Sequence, residues 1–214
     1  MRALQELHSI DVEIRERVTH QQEGFRRIWN EGTEAAVFEE LVFCLCTPQT
    51  KARMAEKAVE LLRKENLLHS GAPEKLGQAL NIVRFRWNKG KWIVLARECC
   101  KRNGEYALRA ILQPLQDTRM RRDWLVGNIK GLGFKEASHF LRNVGFGADV
   151  AILDRHVLRN LTAFGVLPEE PKNLGPKRYL EIEERMKEWS LRIGIPMDRL
   201  DFVLWYKEAN DVFK

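Results

Sequence analysis

The sequence is poor in cysteine, and its four cysteines do not have the spacing of a metal site. One residue separates Cys44 from Cys46, and Cys99 and Cys100 are adjacent, so neither pair forms the C-x-x-C motif of common zinc sites. An iron–sulfur cluster would need a longer series of cysteines. We therefore expect no metal, and thiols that are reduced and mostly buried.

Long apolar runs are also missing from the 214 residues. No run approaches the roughly 20 residues of a membrane span, and the opening stretch MRALQELHSIDVEIRERV is too charged for a signal peptide. These absences predict a soluble cytoplasmic protein without a membrane partner.

Strand patterns are scarce, and the sequence has no internal repeat, low-complexity segment or linker between independent halves. Apolar residues instead recur at helical spacing through residues 2–20, 34–46, 51–67, 90–101, 105–115, 135–144, 155–164, 178–192 and 198–209. The sequence therefore predicts an all-α protein.

The charge balance indicates a class of partner. Lysine and arginine number 36 against 30 acidic residues, a net charge of +6 that favours a polyanion such as nucleic acid. Residues 84–92, with sequence RFRWNKGKW, alternate cations with aromatics. This pattern suits a nucleic-acid surface and equally the solvated start of a helix, so Arg84 and Arg86 are candidate DNA contacts. A second basic cluster, which is either a phosphate contact or an exposed helix face, consists of Arg119, Arg121 and Arg122.

The most informative segment, NIKGLGFKEAS at residues 128–138, is typical of a helix, a tight glycine-rich turn and a second helix. Gly131 and Gly133 can both take positive φ, and their N–H groups, with those that open the next helix, can form a concave anion site. We expect this turn, with Lys130, to hold backbone phosphate without reading bases.

Lys135 lies in the first turn of the second helix, because the apolar face of that helix begins at Ala137 and continues through Phe140, Leu141 and Val144. A cation is disfavoured at a helix N-terminus, and the same field favours the neutral amine that a nucleophile requires. Lys135 is therefore a candidate nucleophile.

Asp154 follows a short apolar stretch, residues 149–153, and precedes another helix. Aspartate is among the best N-cap residues, so the simplest interpretation is that it caps this helix. A carboxylate held rigidly there can also stabilise positive charge on a deoxyribose as its base leaves. The two interpretations are compatible.

The helix predicted at 34–46 runs into the sequence CTPQT at residues 46–50. A polar corner stiffened by proline can present Gln49 to a ligand such as DNA. It can also be an ordinary turn between helices whose glutamine and threonines form local hydrogen bonds. Both interpretations stay open.

The pattern of Gly131, Gly133, Lys135 and Ala137, with Asp154 beyond it, resembles the helix-hairpin-helix DNA glycosylase superfamily. The runs KGLGFKEASHFLRNVGF, DVAILDRHVL and LDFVLWYKEANDVFK look like the compact archaeal-type (type 2) 8-oxoguanine DNA glycosylases, over most of the chain. The lack of a cysteine cluster argues against the iron–sulfur branch of the superfamily.

The resemblance implies a fold of two helical lobes, one of residues 1–34 and 149–214 and one of residues 35–148, with the helix-hairpin-helix at about 120–144. It implies that a monomer binds double-stranded DNA containing an oxidised guanine, and that no cofactor takes part. Lys135 would attack the sugar, expel the oxidised base and form a Schiff base, from which β-elimination cleaves the strand. Asp154 would stabilise the developing charge.

Three contacts to the extruded base are also implied by the resemblance. The carboxy-terminal Lys214 would distinguish 8-oxoguanine from guanine, and Trp205 and Phe85 would stack on the two faces of the base. From the residues alone, Trp205 is either a core residue, the commoner fate of such a tryptophan, or a stacking wall for the base. The aromatic segment that ends with Phe213 predicts a packed carboxy-terminal tail.

Two other functions fit parts of the sequence. One is a glycosylase for other oxidised bases, such as oxidised pyrimidines. The other is a non-enzymatic helix-hairpin-helix module that binds phosphates, which would explain the glycines and the charge but not the pairing of Lys135 with Asp154.

Overall fold

Helices account for nearly all regular structure in residues 2–213, the part of the chain that the computed structural model describes, with side chains from residue 4 onward. The helices are α1 (Arg2–Asn30), α2 (Glu34–Cys46), α3 (Ala52–Lys64), α4 (Pro73–Ala79), α5 (Arg86–Cys99), α6 (Leu108–Leu112), α7 (Thr118–Asn128), α8 (Phe134–Asn143), α9 (Arg155–Ala163), α10 (Pro176–Ile193) and α11 (Met197–Ala209). The predicted all-α class is confirmed.

Two elements differ from the sequence prediction. The apolar pattern did not predict α4, because seven residues are too few to establish a helical period. The helix predicted at 105–115 is wrong at its start, where β1 (Lys101–Arg102) pairs antiparallel with β2 (Glu105–Tyr106). Asn103 and Gly104 connect these strands with positive φ angles of 53° and 85°, as a tight hairpin turn requires.

The apolar side chains form two clusters. The first is built from α2 to α8 and contains buried residues between positions 37 and 150. The second is built from α1 and α9 to α11, with buried residues at 7–25 and 151–204. Because α1 packs against α11, the two ends of the chain meet in the second cluster. The residue ranges of the two clusters support the two lobes that the sequence predicts, and the division into lobes remains a prediction.

Three of the four cysteines, Cys44, Cys46 and Cys100, are buried, and Cys99 is half-buried. Among the described residues, no group of three histidine, cysteine or acidic side chains could hold a metal ion. No helix within residues 2–213 is long and apolar enough to cross a membrane.

Arg122 of α7 and Glu183 of α10 form a buried ion pair between the two clusters. Their side chains are 0% and 1% exposed, and the two guanidinium–carboxylate distances are 2.5 and 2.8 Å. Glu183 also accepts from the main-chain N–H of Ala151 at 2.8 Å, and Arg122 donates to the Ser138 hydroxyl at 3.2 Å. Every contact lies inside the protein, so the interpretation of Arg122 as a phosphate contact is wrong.

The other two arginines of that basic cluster also have partners within the protein. Arg119 contacts Glu184 at the surface. Arg121 donates to the main-chain oxygens of Leu112 and Leu115 at 3.2 and 3.3 Å, and its guanidinium lies 4.3 Å from the centre of the Phe146 ring. These contacts hold Arg121 against the end of α6 and join Arg119 to α10 at the surface.

Glu183→Gln should lower the free energy of unfolding by about 3–5 kcal/mol, because it leaves the Arg122 charge buried without its counter-ion. The control is Glu184→Gln, one position along, which removes only an exposed pair with Arg119 and should cost less than about 1 kcal/mol. Urea unfolding of both variants measures the difference. If both variants lose the same free energy of unfolding, the buried ion pair stabilises the protein no more than the exposed pair does.

Candidate active site

The hairpin between α7 and α8 lines an open concave surface at residues 126–132. Gly131 has a φ of 91°, and a Cβ built on it would lie 2.4 Å from the ring of Trp92, so both the backbone angle and the space require glycine. Of the two glycines that can take positive φ, only Gly131 does so, since the φ of Gly133 is −94°. Gly133 instead takes the N-cap position of α8, where an extended backbone is normal.

The surface of this turn is suited to an anion. The first N–H groups of a helix have no acceptor within that helix, and those of α8 open beside the turn, where the partial positive charge of the helix lies. Lys130 is exposed next to them. The turn therefore combines backbone donors with an exposed cation, the chemistry that a phosphate group requires.

Lys135 is the second residue of α8, and its side chain is 30% exposed. The Lys135 amine lies 3.0 Å from a carboxylate oxygen of Glu136, whose side chain is only 12% exposed. Burial of Ala137, Phe140 and Leu141 fixes the helix behind the amine. Lys135 is thus a partly covered amine that a reactant can still reach.

Asp154 is the N-cap of α9, and this predicted role is confirmed. Its Oδ1 accepts from the main-chain N–H groups of His156 and Val157, both at 2.8 Å. Since both capping bonds are to Oδ1, the cap does not need Oδ2. One carboxylate can therefore hold the helix start and still offer an oxygen to a ligand.

Tyr179 connects the surroundings of Lys135 and Asp154. Its ring packs 5.4 Å from that of Phe134, the neighbour of Lys135. Its hydroxyl donates to the main-chain oxygen of Ala151 at 2.6 Å and accepts from the N–H of Leu153 at 3.3 Å. Burial raises the pKa of Tyr179, so the hydroxyl keeps its proton for the Ala151 bond. The segment that leads to Asp154 is thereby fixed against the start of α8.

Trp205 of α11 is half-buried and lies beside the helix that Asp154 caps. Its ring meets the imidazole of His156 edge-on, with centroids 5.2 Å apart. The imidazole in turn lies 3.6 Å from the Glu208 carboxylate. Trp205 is therefore held near Asp154 and is not enclosed in the core.

The carboxy-terminal tail is packed, as the aromatic segment predicts. Asp211 accepts from the Arg53 guanidinium of α3 at 2.5 and 2.9 Å, and that guanidinium lies 4.6 Å from the centre of the Phe213 ring. Phe213 packs against the first cluster, whereas α11 belongs to the second. Lys214 lies outside the described residues.

Gln49 and Phe85 are both exposed, and both have positive φ angles, of 53° and 57°. Such angles are uncommon outside glycine and unusual for a bulky residue. Arg84, which is exposed, lies over the Phe85 ring at 5.6 Å, and the half-buried Arg86 lies over Trp87 at 4.8 Å. These side chains form a surface of cations and aromatics, while their contact with DNA stays a prediction.

Sequence reasoning missed Lys89 and Glu136. Lys89 belongs to the stretch that was interpreted as a solvated or DNA-facing surface, yet its side chain is fully buried. Only tertiary contacts could have identified it, since a lysine in a basic segment ordinarily faces water. Glu136 stands next to Lys135 in the sequence, and this adjacency was the available signal.

The helix-hairpin-helix DNA glycosylases place a hairpin suited to DNA backbone beside an amine suited to covalent chemistry, and this chain has that arrangement. It also has their fold. The model of the 8-oxoguanine DNA glycosylase family matches residues 18–195. This chain belongs to that family.

Relatives match over nearly their whole length. The 8-oxoguanine DNA glycosylase/AP lyase of Fusobacterium nucleatum is 46% identical over 209 residues, which cover 98% of this chain and 96% of that protein. The crystal structure of the 8-oxoguanine DNA glycosylase of Thermotoga maritima is 35% identical, with a TM-score of 0.87 over 100% of this chain and 99% of the other. A Methanocaldococcus jannaschii 8-oxoguanine glycosylase/lyase, crystallised with 15mer DNA containing 8-oxoguanine, is 30% identical, with a TM-score of 0.89 and 100% coverage of both chains.

Proposed function

We propose that this protein removes 8-oxoguanine from double-stranded DNA and then cleaves the strand at the abasic site. The observation that carries the proposal is Lys135, a partly covered amine in the first turn of the helix that follows a hairpin suited to phosphate. Full-length similarity to relatives named 8-oxoguanine DNA glycosylase/AP lyase supports the choice of substrate.

The proposed reaction begins with the neutral Lys135 amine attacking C1′ of the damaged nucleotide. The bond from C1′ to the base breaks, the base leaves with its electron pair and takes up a proton, and Asp154 stabilises the positive charge that develops on the sugar. The C1′–O4′ bond then breaks, the ring oxygen takes up a proton that the attached nitrogen loses, and an imine joins Lys135 to C1′. Loss of a proton from C2′ then expels the 3′ phosphate by β-elimination.

Before this reaction the nucleotide must leave the double helix, which costs a few kcal/mol. In the proposal, Trp205 and Phe85 stack on the extruded base between the two lobes, and Lys214 distinguishes 8-oxoguanine from guanine. The backbone is held by Gly131, Gly133 and Lys130. Contacts to the DNA helix come from Gln49, Arg84 and Arg86. The protein acts as a monomer, associated with the nucleoid in a prokaryotic cytoplasm.

Four duplexes test the function directly. They contain 8-oxoguanine, thymine glycol, uracil or an abasic site, and denaturing gels measure strand cleavage by the wild-type protein. We expect cleavage at 8-oxoguanine and at the abasic site only. Cleavage at thymine glycol would indicate the wider glycosylase, and a lack of cleavage at all four sites would leave the non-enzymatic binding module.

Deleting Lys214 should reduce the preference for 8-oxoguanine over guanine by roughly tenfold, the effect of about one lost hydrogen bond in a recognition site. Single-turnover excision from duplexes that differ only in this base gives the ratio. Lys172→Ala, at an exposed loop lysine, is the control for the loss of one positive charge. If the deletion leaves the ratio as it is, Lys214 does not contact the base.

A further inference from the structure

The amine of Lys89 holds the turn that connects α2 to α3. Its Nζ donates to the main-chain oxygens of Cys46 and Pro48 at 2.6 and 3.0 Å, and to the hydroxyl of Thr50 at 3.1 Å. A protonated lysine has three hydrogens, so its donors match these three acceptors in number. Lys89 thus fastens both ends of the turn that carries Gln49.

Thr50 extends this attachment to the start of α5. Its hydroxyl oxygen also accepts from the main-chain N–H of Arg84 at 3.2 Å. Lys89 itself lies one helical turn beyond Phe85, and its own N–H donates to the Phe85 oxygen at 3.0 Å. The Lys89 and Thr50 side chains therefore tie two separate loops together, one with Gln49 and one with Phe85.

The two loops that Lys89 and Thr50 tie together each contain a residue with a strained backbone. Gln49 and Phe85 both have left-handed φ angles, although neither is glycine and both are exposed. Such conformations persist only where the surroundings hold them in place, and they concentrate at functional sites. Each strained residue is adjacent to an atom that Lys89 or Thr50 holds.

The position of the amine is also unusual for a purely structural residue. Burial lowers the pKa of Lys89 to about 8, against the opposing effects of Cys46 and Glu136 and with a further lowering by Lys135. An apolar side chain of similar length would fill the same space without the cost of burying a charge. The role of the buried amine is therefore to donate its three hydrogen bonds. It does so close to the charges of Lys135 and Glu136 at the start of α8.

We propose that Lys89 and Thr50 are positioning residues that hold Gln49 and Phe85 as one rigid unit for inserting into DNA and stacking on the extruded base. This inference rests on the proposed function. In it, neither residue contacts the reacting atoms. Their effect falls on the extrusion of the nucleotide, before Lys135 reacts.

The matched pair Thr50→Val and Thr50→Ser tests the proposal. Valine keeps the shape of threonine but lacks the oxygen that accepts from Lys89 and Arg84, whereas serine keeps that oxygen. We expect Thr50→Val to slow single-turnover excision of 8-oxoguanine from duplex DNA by roughly tenfold, while Thr50→Ser stays near wild type. Lys89→Met should act as Thr50→Val does.

A duplex with a preformed abasic site separates positioning from general damage, because it has no base to unstack or to hold between aromatic rings. Borohydride trapping on this duplex should be equal for wild type and all three variants. Equal losses on both duplexes, or a Thr50→Ser variant as slow as Thr50→Val, would refute the positioning role. A wild type that acts on neither duplex would refute the proposed function itself.

The claim that the two residues act as one unit has its own test. Gln49→Ala and Phe85→Ala are each made alone and together with Thr50→Val. If the two residues act as one unit, Thr50→Val acts on the excision rate through Gln49 and Phe85. The decrease in excision rate that it causes should then be smaller in a protein that already lacks either side chain. Losses that multiply independently in both double variants would overturn the inference.

Discussion

Lys135→Gln should abolish covalent trapping of the protein on DNA and reduce strand cleavage by roughly a thousandfold or more, the scale expected when a covalent nucleophile is removed. Glutamine has nearly the length of lysine and keeps the helix, but its amide nitrogen cannot form an imine with C1′. Sodium borohydride reduces the imine to a stable amine, so a gel shift of the protein–DNA adduct gives the measurement.

Lys130→Gln is the matched control, because it makes the same change five residues earlier, at an exposed lysine of the hairpin turn. Losing one phosphate contact should weaken binding and reduce its salt dependence, while trapping at saturating protein is retained. Persistent trapping in Lys135→Gln would assign the nucleophile to another residue. Loss of trapping in both variants would mean only that the DNA no longer binds.

Asp154→Asn should slow base release by roughly a hundred- to a thousandfold, the scale expected for one preorganised electrostatic contact, with little change in DNA affinity. Asparagine and aspartate are similar as N-caps, so the bonds to His156 and Val157 should survive and the start of α9 should keep its position. What disappears is the negative charge. Single-turnover excision and equilibrium binding to an uncleavable duplex give the two quantities.

Asp117→Asn makes the same change at another N-cap, that of α7, where the side chain accepts from Met120 at 2.7 Å. It lies on the helix that enters the hairpin, and we expect excision within a fewfold of wild type. If Asp154→Asn loses affinity and rate in equal measure, or if both variants behave alike, capping alone explains Asp154.

The hairpin, Lys135 and the Asp154 cap could be predicted because local sequence determines them. A glycine-rich turn, an apolar face that starts at Ala137 and an aspartate before a helix each act over a few residues. Gly133 shows the limit of this reasoning, since both glycines permit positive φ and only the contact with Trp92 distinguishes Gly131.

Arg122 and Lys89 could not be predicted for a different reason. A cation in a basic segment ordinarily faces water, and what buries these two lies far away in the sequence, at Glu183 and at the turn after α2. In our proposal, the strained backbone of Gln49 and Phe85 is held by contacts of the same kind, from Thr50 to Arg84 and from Lys89 to Pro48. Contacts between residues far apart in the sequence thus bury Arg122 and Lys89.

The packing of α1 against α11 has a consequence for how the chain acquires its structure. A ribosome makes α1 before α11, so α1 waits for its partner until all the elements between them have been made. The residues between positions 37 and 150 depend on no such delay, because the elements that build their cluster follow one another in the chain. The lysine that we propose as nucleophile is thus made before α10, whose Tyr179 fixes the segment that leads to the aspartate.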